Sequence, residues 1–238
     1  MNEPHLNDTS EPILSGNVAS EKIGHDQNTD VPMFELYTAN TTNGQRVSIM
    51  LEETEQQYCA YKVDLASGEQ RSSRFLNLNP RGQIPVLVIH EPSFSSPFVL
   101  TQSISILQYL AEKTGRFLPE SPLNRARAFE WMAFYATDLF PAQFHAFLLE
   151  RRSNDGLQEA ANQLREHAYD LYRHIDHRLS QEKFLAGAEY SIADIAVIPG
   201  IIRREEEILS YPNISRWLHE IKQRPAVQRG MAIPKTGE

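Results

Sequence analysis

One cysteine, Cys59, stands in 238 residues, and that scarcity removes several functions at once. Neither an intramolecular disulfide nor a multi-cysteine metal site can be built from it. Long apolar runs are missing too: none approaches the ~20 residues needed to span a bilayer. The N-terminus also lacks the basic-then-apolar order of a secretory signal. Basic residues are outnumbered, 23 Lys and Arg against 31 Asp and Glu, and they form no stripe that would track a nucleic acid. These absences point to a cytoplasmic protein with no metal and with neither nucleic acid nor membrane as a partner.

What is present suits a soluble globular chain, with 41% hydrophobic and 23% charged residues. The length allows one large domain or two small ones, each with its own core. The charge is unevenly spread. Residues 1–32 hold six acids (Glu3, Asp8, Glu11, Glu21, Asp26, Asp30) against Lys22 alone, and so carry −5 of the net −8. This stretch is rich in Asn, Ser, Thr and Asp and has no periodicity. It has too little apolar surface to fold alone, so it reads as a disordered extension. Ile13-Leu14 and Val31-Pro32 are the apolar anchors by which it could instead pack on a neighbouring subunit.

Periodicity starts at Met33. Met33 to Thr38 alternates as a strand, and Gly44 to Glu55 sets Val47, Met50, Leu51 and Thr54 on one helical face. Tyr58 to Asp64, Pro85 to His90 and the short Phe98 to Leu100 read as further strands. Gln102 to Thr114 reads as a helix stopped at Gly115. This β-α-β then β-β-α order, over 33–115, is the thioredoxin-like plan. Residues 116–123, with Pro119 and Pro122, read as a linker. Residues 124–238 show no convincing strand: a helix over 124–151 that Pro141 should kink, another over 156–181, and Ser191 with Asp194 as a capping box. The fold class is therefore α/β plus all-α, a thioredoxin-like domain followed by a helical bundle.

The residues with chemistry cluster in the first domain. Pro85 enters its strand at the position where a missing N–H costs least, and an X-Pro bond there can be cis. The backbone of Ile84 then offers an unused strand edge to a peptide-like ligand. Gln102-Ser103 opens a helix, whose free N–H groups suit a carboxylate. Together these features suit a small acidic peptide. Where a thioredoxin would carry its nucleophilic cysteine, this chain has Thr41-Thr42-Asn43-Gly44. Cys59 lies in the next strand and reads as a small apolar residue, so any thiol must come with the ligand. Thr41 and Asn43 can serve such a thiol, because donors and a helix N-terminus favour thiolate over thiol. A pKa unit takes about 1.4 kcal/mol, and one charge-assisted hydrogen bond supplies about 1.5–3 kcal/mol. Thr and Asn are equally good helix caps, and capping alone would also explain them.

Asn79-Pro80-Arg81-Gly82-Gln83-Ile84-Pro85-Val86-Leu87 and Leu100-Thr101-Gln102-Ser103-Ile104 resemble the glutathione-binding core of the glutathione transferases, over roughly residues 33–229. Leu36-Tyr37-Thr38-Ala39-Asn40-Thr41-Thr42-Asn43-Gly44 resembles the nu-class bacterial branch, glutathione-dependent disulfide-bond oxidoreductases with Thr-x-Asn-Gly at this place. The resemblance implies glutathione as cosubstrate and a small disulfide or electrophile as second substrate, in a homodimer to which Phe75, Leu76 and Tyr109 could contribute. Carried over by motif, Thr41 and Asn43 face the glutathione sulfur. Gln70 and Gln83 touch the ligand, Ile84 and Pro85 present backbone to its cysteinyl part, and Gln102 with Ser103 hold the γ-glutamyl end. Tyr37 reads as packing within its strand.

Three departures bear on the reaction. Gln102 stands where this branch usually has Glu, and Gln83 where Lys is frequent. Leu139-Phe140-Pro141-Ala142-Gln143-Phe144-His145 replaces a Gly-rich loop, which would reshape the second-substrate pocket with His145 as a possible polar contact. The expected function is disulfide reduction by the thiolate of bound glutathione. The alternatives are conjugation to apolar electrophiles and a non-catalytic glutathione-binding module, the latter favoured by the acidic extension.

Overall fold

The computed structural model describes Ser20–Ile23, at the level of the backbone, and residues 32–152 and 155–234. Strands β1 (Ser20–Ile23), β2 (Phe34–Thr38), β3 (Tyr58–Lys62), β4 (Val86–Ile89) and β5 (Phe98–Thr101) form one sheet in the order β1-β3-β2-β4-β5. β2 and β3 are parallel, joined through helix α1 (Thr42–Glu53), while β4 pairs antiparallel with both β2 and β5. Alternate residues of a strand face opposite sides, and here both sides are covered. Phe34 and Leu36, with Leu87 and Ile89, pack towards α1 and α3 (Ser103–Thr114). Tyr37, Val86 and Val88 turn the other way, onto Phe75 and Leu78 of α2 (Ser73–Leu78). Tyr37 is stacked on Tyr61 at 4.8 Å and donates to the buried Glu35 carboxylate, so its role is packing.

Two corrections fall in this half. Ser20–Ile23 belongs to the extension read as unfolded, yet it pairs antiparallel with β3, Ser20 opposite Tyr61 and Ile23 opposite Tyr58. The open edge of β3 supplies backbone donors and acceptors, which a polar segment can satisfy without a core of its own. The remainder of 1–31 lies outside the described residues. Phe75, read as an interface residue, is completely buried in the second core cluster.

Helices make up the second half: α4 (Pro122–Phe134), a π-helical turn (Tyr135–Leu139), α5 (Phe140–Glu150), α6 (Asp155–Gln181), α7 (Ile192–Ile202), α8 (Pro212–Lys222) and α9 (Pro225–Met231). The break expected at Pro141 is present, but the wide turn just before the proline absorbs it. Proline has no N–H for the preceding turn, and a π-turn accommodates that gap within a continuous helical path. α7 is apolar on all sides because it is buried on all sides. It opens with the Ser191–Asp194 capping box. Asp194 Oδ1 also accepts from Trp217 Nε1 at 2.8 Å and from the Leu185 N–H at 3.0 Å.

One continuous core runs from the sheet through α1 into the helical half. α1 is its hinge piece, with every residue from Gly44 to Glu53 buried. α9 lies so close to it that a Cβ on Gly230 would stand 2.5 Å from the Ile49 Cα, so only glycine fits there. Ser48 Oγ donates to the Gly230 carbonyl at 2.7 Å, Arg224 grips Glu53 in a two-pronged pair, and Arg229 meets Glu52 at 2.6 Å. These bonds fix how the helices overhang the sheet, and so fix the cleft between them.

Candidate functional site

A cleft of about 930 Å³ opens where the C-terminal end of β2, the start of α1, the β4 entry and the start of α3 face α5 and α7. All eight residues singled out from the sequence line it: Thr41, Asn43, Gln70, Gln83, Ile84, Pro85, Gln102 and Ser103. Three stretches of chain, with Gln70 on a short turn of its own, bring them together.

The first stretch is the α1 N-terminus. Thr41 is the N-cap, its Oγ1 accepting from the Gly44 N–H at 3.1 Å. Capping uses a lone pair of the hydroxyl and leaves its proton to donate, so the cap and the ligand contact are compatible. Gly44 is required because a Cβ there would lie 2.2 Å from Thr38 Oγ1. The turn is also held from the helical half: Arg203, at the end of α7, donates to the Asn40 carbonyl at 3.0 Å and to Gln45 Oε1 at 3.1 Å. No acid stands in the first turn of α1, so its positive end is uncompensated.

The second stretch is 79–85. Asn79 is buried and pins this loop, Nδ2 donating to the Gln83 carbonyl at 2.6 Å and Oδ1 accepting from the Arg81 N–H at 3.1 Å. The Ile84–Pro85 peptide is cis, and strand pairing starts only at Val86. Gln70, on a 3₁₀ turn over Glu69–Arg71, carries a buried Oε1 with no partner. That acceptor suits a donor brought by a ligand.

The third stretch is the α3 N-terminus. Gln102 has φ 69° and ψ 109°, a conformation that side-chain-bearing residues rarely adopt and that concentrates at functional sites. Ser103 is buried, and its Oγ accepts from Arg46 Nη1 at 3.3 Å. Arg46 is 2% exposed, lies 4.5 Å over the Tyr135 ring, and leaves Nε and Nη2 without partners. Burial holds its guanidinium below the usual arginine range.

Sequence reasoning missed Arg46, Arg203, Asn79 and Phe147 as parts of one site, whereas Phe140 and Phe144, read as reshaping the second-substrate pocket, line the same cleft. Arg46 and Asn79 stand inside the motif stretches, and their neighbourhood was the available signal. Arg203 gave none. His145, considered as a second-substrate contact, is exposed and lies outside the cleft, whereas buried Gln143 lines it and donates to the Tyr172 hydroxyl at 2.6 Å. Among the described residues no three His, Cys, Asp or Glu are grouped to hold a metal, and no helix is long and apolar enough to cross a membrane.

A thioredoxin-like sheet with two helix N-termini and a cis-proline loop, roofed by a helical bundle, leaves between its halves one cleft suited to a small acidic, peptide-like ligand. Two family models match the chain: the glutathione S-transferase N-terminal domain over residues 42–113 and the C-terminal domain over 132–225. The chain belongs to the glutathione S-transferase family, and it shares with its relatives the class of glutathione-dependent transferases and disulfide-bond oxidoreductases. It is 34% identical over 212 residues to the disulfide-bond oxidoreductase YfcG of Escherichia coli, covering 87% of this chain and 98% of the relative. It is 36% identical over 221 residues to YghU of the same organism, covering 85% and 75%. A Burkholderia graminis glutathione transferase solved with two glutathione molecules per subunit superposes with a TM-score of 0.79 at 31% identity, covering 87% of this chain and 90% of that one.

Proposed function

We propose that this chain reduces disulfides with the thiolate of bound glutathione, Thr41 and Asn43 donating hydrogen bonds to the sulfur. The observation that carries this reading is the placement of Thr41 and Asn43 at the α1 N-terminus, across one cleft from Gln102 and Ser103, with the chain's sole cysteine buried in the sheet instead. The glutathione sulfur attacks one sulfur of the substrate disulfide, forming a mixed disulfide and releasing the other half as a thiolate. A second glutathione thiolate then attacks the glutathione sulfur of the mixed disulfide, giving glutathione disulfide and freeing the second half. Ile84 and Pro85 present backbone to the cysteinyl part, Gln70 and Gln83 touch the ligand, and Ser103 with Gln102 takes its γ-glutamyl end. The relatives named above as disulfide-bond oxidoreductases, and the neighbour holding two glutathiones, support this order of events. The family relation also supports a homodimer in the cytoplasm, the first checked by light scattering on the eluted protein.

The apolar wall of Phe140, Phe144 and Phe147 favours one second reading, conjugation of glutathione to an apolar electrophile. Hydroxyethyl disulfide reduction and chlorodinitrobenzene conjugation, measured on one preparation, separate the two. Disulfide reduction as the dominant rate is the expected result. Dominant conjugation moves the chain to the second reading, and silence in both despite glutathione binding makes it a binding module.

A further inference from the structure

The lining of the cleft has a one-sided charge. Arg46, Arg81, Arg203 and Arg204 face into it, and none of its lining residues is an aspartate or glutamate. The chain as a whole is acidic, at −8, so this is a local reversal. Among the described residues, only Arg204 of these four has a carboxylate partner, Glu207 at 2.8 Å. Arg203 is bonded to the neutral Asn40 and Gln45, and Arg46 to the neutral Ser103.

A γ-glutamyl group brings a carboxylate and an ammonium to the same place. The carboxylate finds much there: the free N–H groups of α3, which has no acid in its first turn, the Ser103 hydroxyl, and the buried Arg46 behind it with two unpartnered nitrogens. The ammonium finds little. It meets acceptors without charge, the Gln102 amide and the unpartnered Gln70 Oε1, and an amide oxygen can accept a hydrogen bond but brings no counter-charge. The surrounding arginines repel a second cation.

We propose that this cleft holds its thiol ligand without reading the α-ammonium, so that acidic thiol peptides lacking a free α-amino group are held as firmly as glutathione. The ligand class is then wider than glutathione and takes in deaminated or N-blocked γ-glutamyl thiols. This inference rests on the glutathione reading and adds to it which groups of the ligand are read.

The test is calorimetry on the full chain with two ligands, glutathione and glutaryl-cysteinyl-glycine, which differ only in the ammonium. The expected result is a Kd for the deaminated ligand within about threefold of that for glutathione. In Gln102→Glu the new carboxylate should favour glutathione over the analogue by about tenfold. A wild-type preference for glutathione beyond about threefold overturns the inference and leaves the glutathione reading standing. Binding of neither ligand overturns both.

Discussion

Arg46 carries a charge into a place where nothing described offers a carboxylate. Desolvating such a group costs several kcal/mol, and an apolar residue of similar length often serves stability better. Arg46→Met should therefore leave the free protein as stable as before or more stable, by up to about 2 kcal/mol. Glutathione affinity should fall on the order of tenfold, because the ligand carboxylate loses its counter-charge. Thermal melts with and without glutathione read both effects: a free Tm at or above the wild-type value, and a smaller rise on adding glutathione. A lower free Tm with an undiminished rise would show Arg46 to be purely structural. The eight candidate residues could be named from the sequence because each lies in a short stretch that resembles a motif of the family, and all eight line one cleft. Arg46 could not, because the spacing of Val47, Met50, Leu51 and Thr54 marks one apolar face and leaves Arg46, a charged residue, at its edge, where a solvated side chain is the ordinary reading. In the fold α1 has no outward face, since α3, α7 and α9 pack around it against the sheet.

Elements show the same division between local and distant signals. The Ser191–Asp194 box was legible and marks the start of α7, but the two further donors to Asp194, from Leu185 and Trp217, come only with the tertiary fold. Burial pushes the Asp194 carboxyl up to about 6, outweighing these hydrogen bonds, which favour ionisation. The folded chain thus keeps this proton through a window, from the ordinary carboxylate range to about 6, where the unfolded chain has lost it. Stability from this group is fullest below that window and falls as pH rises through it, by roughly 3 kcal/mol in all. Urea midpoints of wild type and Asp194→Asn should show it: the wild type's advantage over the variant shrinks between about pH 4 and pH 7. A constant gap would contradict this account. Pro141 announced a break but not its form, since the π-turn lies in the residues before it. The six-residue α2 and seven-residue α9 are too short for periodicity to register. α8 was findable: Ile214, Trp217, Leu218 and Ile221 follow Pro212 at helical spacing, and all four are buried.

At the scale of the whole molecule, the cleft exists because the two halves are locked across α1. Glu53 is 4% exposed and depends on Arg224, whose Nε and Nη2 meet its two oxygens at 2.6 and 2.8 Å. Arg224→Ala leaves that carboxylate buried without its partner and should cost about 2–4 kcal/mol, less than a fully buried pair because the arginine is partly exposed. Chemical denaturation measures this, and a loss below about 1 kcal/mol, typical of a surface pair, would contradict it. Sequence reading reached the two-domain plan but not this lock, since Glu53 and Arg224 are 171 residues apart. Nor did it reach the single-signed lining of the cleft, which arginines from α1, the 79–85 loop and the end of α7 assemble.

The central claim, a ligand thiolate stabilised by Thr41 and Asn43, is tested most directly by the pH profile of kcat/KM for a disulfide at saturating glutathione. A free thiol has a pKa of about 8.5, and two charge-assisted donors, at about 1.5–3 kcal/mol each, are more than enough to supply the roughly one to two units that bring it near neutral. The wild-type profile should rise with an apparent pKa of about 7, and Thr41→Ala/Asn43→Ala should move it back by about one to two units. Thr41→Ser, which keeps the hydroxyl, should stay near the wild type. A double variant with an unchanged apparent pKa and an unchanged rate would contradict the claim and place the thiol elsewhere in the cleft.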